Sequence, residues 1–187
     1  MRQPLVIRFF APVVEDSANS LLKVIDDAVN RGINDIIILI STPGGSVFHG
    51  LSIYNYLKGL PIEKITLHNF GSVDSIGVVI YCAGKERFSS PQARFLLHGV
   101  SVNFDKPVRL EEPQLEERLK SLRIDIENIS KVIAANIGKT KEEVIKAMHE
   151  RTTLNPEQAK EWGLVHDIKI ELFPTGSQVV SILYQQK

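Results

Sequence analysis

The stretch with the most chemical promise is Gly71-Ser72-Val73-Asp74-Ser75-Ile76-Gly77, which runs into the wholly apolar Val78-Val79-Ile80-Tyr81. A helix that is apolar on every side belongs in an interior rather than on a surface. Ser75 therefore stands at the N-terminus of a buried helix, among small neighbours that leave its hydroxyl reachable. Unpaired N–H groups and the positive end of the helix dipole gather at such a terminus, and both favour a developing oxyanion. Asp74 or Ser75 would serve equally well as a plain helix cap. Only Ser-x-Gly of the nucleophile-elbow pattern is present, so the stretch alone leaves both readings open.

A second stretch can converge on the first. Ser41-Thr42-Pro43-Gly44-Gly45-Ser46 follows the apolar run Ile36 to Ile40, and ligand sites of open α/β sheets collect beyond such strand ends. Paired glycines let a backbone approach a substrate closely. The N–H groups of Gly45 and Ile76 could together form an oxyanion hole. A glycine turn without a ligand is the alternative, and no Lys-Ser/Thr follows to make a phosphate loop. A serine hydroxyl at neutral pH needs a base. Of the five histidines, His98 ends a strand, where side chains reach a common rim; His49, His68, His149 and His166 are the others. No spacing of His, Cys and carboxylates resembles a metal site, no dinucleotide fingerprint occurs, and no cofactor is expected.

Those residues need a scaffold, and its elements alternate. Leu5 to Phe10 reads as a strand, and Asp16 or Ser17 caps a helix that Gly32 closes. Ile36 to Ile40 lacks alternation, as in a strand covered on both faces of a parallel sheet. A helix to about Leu57 and a strand from Lys64 to Asn69 follow, an order that argues for an α/β fold. Pro91 separates two short extended pieces, and residues 99 to 113 are polar and proline-marked. From Pro113 a long helix carries Leu115, Leu119, Leu122, Ile126, Ile129 and Ile133 at heptad-type steps; it either lies on its own domain or projects onto another subunit. Thr140 with Glu143 and Asn155-Pro156 open two further helices. Alternation over Ile168 to Leu172, a Pro-Thr-Gly-Ser turn and Val179 to Tyr184 read as a C-terminal hairpin with one wet face.

At 187 residues, with 22 basic and 22 acidic side chains, the chain suits one domain without the charge excess of a nucleic-acid or membrane-surface binder. Its one cysteine, Cys82, lies in the apolar helix and reads as a buried thiol. One cysteine excludes an intrachain disulfide, in keeping with a reducing compartment. No run reaches signal-peptide or transmembrane character, so a cytoplasmic protein is expected.

From about Val6 to Ile168 the chain resembles the proteolytic subunit of the Clp protease, a serine peptidase of the Clp/crotonase fold group. The matching marks, in order, are Ser41 to Ser46, Gly50-Leu51-Ser52-Ile53-Tyr54, Asp74-Ser75-Ile76-Gly77, Ala93 to His98, and Leu154 to Val165. The resemblance implies an α/β Clp/crotonase-like fold of stacked, mostly parallel strands over 1–187, with a handle at about 99–137 and the hairpin at 168–187. It implies Ser75 as nucleophile, His98 as general base, and Gly45 with Ile76, beside Gly44, as oxyanion donors. The substrate would be a peptide or unfolded protein, and handle helices from opposing rings would interlock in a homo-oligomeric ring or double ring.

Three departures qualify that picture. The family's orienting Asp corresponds to Arg151, which cannot accept a hydrogen bond; Glu150, Asp74 or a backbone carbonyl are the stand-ins, with Glu150 named as third member. The chain begins near its first strand, and its last hairpin runs past the family's usual end. Both features count against docking to an ATP-dependent unfoldase and favour a free-standing peptidase. The alternatives are a catalytically silent ring subunit and, further off, a crotonase-type enzyme holding a CoA thioester enolate.

Overall fold

The computed structural model describes residues 3–102 and 108–183. β1 (Leu5–Phe10) leads to α1 (Glu15–Asn30), β2 (Asp35–Thr42), α2 (Val47–Gly59) and β3 (Lys64–Asp74). Ser75 then joins β3 to α3 (Ile76–Tyr81), every residue of which is buried. β4 (Glu86–Ser89) and β5 (Arg94–Leu96) flank Pro91, and α4 (Glu112–Ile137) is the long helix. α5 (Lys141–His149), β6 (Thr153–Leu154), α6 (Pro156–Glu161), β7 (Asp167–Ile168) and β8 (Gln178–Leu183) complete the order.

The strands form one sheet in the order β6-β5-β3-β2-β1-β8, with β4 on β3 and β7 on β4. All pairs are parallel except β5 with β6. The α/β expectation holds, and the unbroken Ile36 to Ile40 run fits a strand paired on both edges, with Ile36, Ile38 and Ile40 buried on one face and, on the other, Leu39 buried and Ile37 half-buried. The branch in β3 matters most for the site. Thr66 to Asn69 pair with β4, whereas Ser72 to Asp74 pair with β5, so a single strand carries two neighbours and ends at Ser75.

Three local expectations need correction. The C-terminal hairpin does not form: β7 joins β4, while β8 crosses to the far edge and runs parallel to β1, Leu5 opposite Gln178. Its alternation is real, but Ile182 finds buried contacts on β1 rather than on a hairpin partner. Tyr184 lies outside the described residues. The first helix starts earlier than Asp16 or Ser17 capping would allow, with Val14 as N-cap. Ser17 acts from inside, accepting from the Val14 N–H at 3.1 Å and donating to the Pro12 carbonyl at 2.6 Å. The heptad seam of α4 splits: Ile129 and Ile133 are buried, whereas Leu115 and Leu119 are 53% and 47% exposed. The second half of α4 therefore lies on its own domain, and the first half leaves Leu115 and Leu119 uncovered. Of the handle region, residues 103–107 lie outside the described residues.

A buried arginine ties the helix ends together. The Arg87 guanidinium donates to the carbonyls of Leu164 (2.8 Å), Asn136 (2.9 Å), Gly163 (3.1 Å) and Gly84 (3.4 Å). These carbonyls lie at or just past the C-terminal ends of α6, α4 and α3, where helix dipoles present negative charge. The cation is therefore balanced by partial charges on three elements that surround the site.

Candidate active site

Ser75 has φ 58° and ψ −127°, a conformation that non-glycine residues rarely hold and that costs about 1–3 kcal/mol. The sheet holds it there. Its N–H donates to the Leu96 carbonyl at 2.8 Å, and its own carbonyl accepts from Val78 at 3.0 Å. β5, which supplies that Leu96 carbonyl, continues two residues later into His98. One short strand therefore both pins the serine and delivers the imidazole. Ser75, His98, Gly45 and Ile76 all border one cleft of about 110 Å³.

The histidine's tautomer follows from its partner. His98 Nδ1 lies 2.7 Å from the Gly99 carbonyl oxygen, which can only accept, so Nδ1 carries the proton. In the neutral ring Nε2 is left with its lone pair, the form a general base requires. Glu150 is not brought to this place: it ends α5 with its carboxylate 3.8 Å from Lys146 Nζ, on an exposed face. Asp74 is engaged elsewhere, accepting from Ser72 Oγ at 2.6 Å and Arg94 at 3.0 Å. Phe95 faces Leu154, Leu96 faces Thr153, and Leu97 N–H donates to the Thr152 carbonyl at 2.9 Å; Arg151, one residue beyond that contact, is exposed in the turn that ends α5, with φ 54° and its N–H given to the Met148 carbonyl.

The two glycines form the other wall. Val13 N–H donates to the Gly44 carbonyl at 2.7 Å, and Ser46 N–H donates to the Val13 carbonyl at 2.8 Å. In a parallel bridge of this kind the residue between, Gly45, directs its own N–H away from Val13. The Ile76 N–H is the first of a helix and has no intrahelical acceptor. A side chain at Gly44 would meet Ser75, its Cβ only 2.7 Å from that of the serine. Thr42, which the sequence reading passed over, accepts the Gly44 N–H at 3.1 Å in a buried contact. A Thr two residues before a glycine is the local signal for such a turn.

Beyond the cleft, and sharing Gly45, Val47, Val100 and Ser101 with it, runs a groove of about 610 Å³ between the start of α2 and the first half of α4. Phe48, 74% exposed, stands on its rim. Among the described residues no cluster of His, Cys, Asp and Glu could hold a metal.

The sequence model of the Clp protease family matches residues 3–171. The chain belongs to the Clp protease family. β8 lies beyond the matched segment. A curated relative, the ATP-dependent Clp protease proteolytic subunit 2 of Corynebacterium efficiens, is 32% identical over 136 residues, which make up 72% of this chain and 66% of that subunit. The chain thus matches a little under two thirds of the relative's length. A solved point mutant of ClpP1 from Listeria monocytogenes superposes with a TM-score of 0.78 over 89% of this chain and 91% of that one, at 24% identity. That likeness establishes the Clp fold.

Two further histidines of this Clp family member have structural partners. His166 Nδ1 accepts from the Arg87 N–H at 3.3 Å. His68, on β3, is buried, with Nε2 3.4 Å from Ser90 Oγ and its ring edge-on to Phe88. Burial, reinforced by the Lys169 charge, lowers its pKa from 6.5 to about 4 against the pull of a backbone hydrogen bond at Lys169. An unfolded chain takes up that proton below pH 6.5 while the folded one does not, so stability falls as pH drops from about 6.5 to 4. Urea unfolding should show a loss of about 2–3 kcal/mol between pH 7 and 4.5 from this group. The pH 4.5 loss should shrink by that amount in His68→Leu; an unchanged profile would place the effect elsewhere. Cys82 is likewise inert, with burial raising its thiol to about 12.

Proposed function

We propose that this Clp family member is a serine peptidase that cleaves peptide bonds through an acyl-enzyme. The observation that carries the reading is the Nδ1–H of His98 given to the Gly99 carbonyl, which leaves Nε2 as an acceptor in the cleft that Ser75 borders. Ser75 Oγ attacks the scissile carbonyl and passes its proton to Nε2. The N–H groups of Gly45 and Ile76 hold the oxyanion. His98 then gives the proton to the leaving amine, and a water molecule, deprotonated by the same nitrogen, releases the acyl group. A carbonyl dipole fixes the tautomer but stabilises the imidazolium less than a carboxylate does, so the enzyme works well below the rate of a full triad.

The protomer acts within a self-compartmentalised homo-oligomer. The exposed Leu115 and Leu119, one turn apart on the first half of α4, leave an apolar stripe that a second copy would cover. Peptides or unfolded proteins are the substrates. No helix among the described residues is long and apolar enough to cross a membrane, and the single buried thiol suits the reducing cytoplasm.

A second reading, a silent ring subunit paired with an active partner, is favoured by Arg151, which stands where the family resemblance calls for an acid. Covalent labelling separates the two. A fluorophosphonate should label the assembled wild type and fail on Ser75→Ala, with Ser75 recovered as the modified residue. Intact oligomers that stay unlabelled would establish the silent subunit.

A further inference from the structure

The inner end of the cleft is closed by Ile76, Leu97, Ile129, Ile133 and Met148, all buried. No charged side chain joins them; His98 is the only titratable group on the lining. The polar groups, Ser75, His98 and the backbone of Gly45, stand at the mouth. A side chain attached to the carbonyl that Ser75 attacks therefore points into an apolar blind end. The space is small. A dry cavity of about 150 Å³ takes one benzene, whereas this cleft is about 110 Å³ in all and must also receive the reacting carbonyl.

Resting on the serine-peptidase reading, we infer that this pocket restricts cleavage to bonds following small apolar residues, alanine and valine before leucine, with phenylalanine and charged residues refused, and that Met148 sets the limit. Met148 comes from α5, whereas Ile129 and Ile133 come from α4, so of the five side chains at the blind end it is the one whose removal opens the pocket without touching the nucleophile helix, the histidine strand or the handle. It is also unbranched and fills irregular space, which makes its length the adjustable dimension. The groove beside the mouth is wide and leaves the neighbouring substrate positions free; selection is concentrated at the residue whose carbonyl is attacked.

The test uses peptidyl diaryl phosphonates that differ only at that residue, with labelling of Ser75 followed in the assembled protein. Wild type should react at least about tenfold faster with the alanine and valine probes than with the phenylalanine probe, the discrimination expected where a pocket lacks room for a few carbons. Met148→Ala should shift the phenylalanine-to-alanine ratio upward by at least about tenfold, while Met148→Leu, nearly equal in volume, keeps the wild-type order. Ile129→Val enlarges the pocket by one methyl and should move the valine-to-leucine preference in the same direction if Met148→Ala does not fold. Labelling that ignores the side chain, or a ratio unmoved by opening the pocket, overturns the assignment while leaving the peptidase intact. Failure of a simple alkyl fluorophosphonate to label overturns the peptidase reading, and this one with it.

Discussion

Arg151→Asp should raise peptidase turnover by about two to four orders of magnitude, the upper bound being the roughly 10⁴-fold that an orienting carboxylate contributes behind a Ser–His pair. The Leu97 N–H given to the Thr152 carbonyl brings the chain at residue 151 next to the segment that carries His98, where a carboxylate would compete with the Gly99 carbonyl for Nδ1–H. It should win, because a hydrogen bond to an ionised acceptor is about twice as strong as one to a neutral carbonyl. It also offsets the imidazolium that forms as Ser75 loses its proton. The backbone is ready for the change: Arg151 has φ 54°, a region where aspartate is several-fold enriched over most side chains. Arg151→Ala is the necessary comparison. Removing the Arg151 cation should by itself give a gain of about tenfold or less, so most of the increase must come from the carboxylate. Steady-state hydrolysis of a peptide substrate, with phosphonate labelling to count active sites, measures both. Equal rates for the Ala and Asp variants would mean that the Gly99 carbonyl already does everything an acid could do here.

That prediction depends on what was and was not readable in the residues. Features that depend on a few adjacent residues were legible: the two-sided strand at Ile36 to Ile40, the buried helix after Ser75, the break at Pro91, and the caps at Thr140 and Asn155, whose side chains accept from Glu143 and Gln158. The meeting of Ser75, His98, Gly45 and Ile76 at one cleft was accessible only because each ends or follows a strand, and parallel strands deliver their ends to one rim. Long-range choices were not legible. Residues 168–183 carry a turn signal and alternation that fit a hairpin, and nothing local says that β8 will instead travel to β1. Arg87 looks like any surface arginine until three helix ends close round it. The Gly99 carbonyl as His98's partner was one of several stand-ins, because a backbone acceptor has no side-chain signature. Glu150, next to the aligned position, was drawn instead by Lys146 on its own helix face, an ordinary i,i+4 pairing.

Gly45→Ala should lower kcat by about 10²–10³-fold with little change in KM, the loss associated with a single oxyanion donor. At φ 148° the backbone is in a region open to glycine and closed to alanine. The added Cβ would fall on the Val13 carbonyl oxygen, which is fixed by the bond it accepts from Ser46. The clash lies between two pieces of backbone, so no side chain can rotate to relieve it; the loop must move. A movement of the loop displaces the N–H proposed to hold the oxyanion, because the bridge to Val13 fixes the backbone at Gly45. Most of the neighbouring groove is lined by residues other than Gly45, which is why KM should change little. Gly59→Ala controls for loss of glycine as such: its Cβ would meet open space, and turnover should be unchanged. If Gly45→Ala instead raised KM at constant kcat, the Gly44-Gly45 turn would be a wall that binds peptide, and the oxyanion would have to be held by the Ile76 N–H without it.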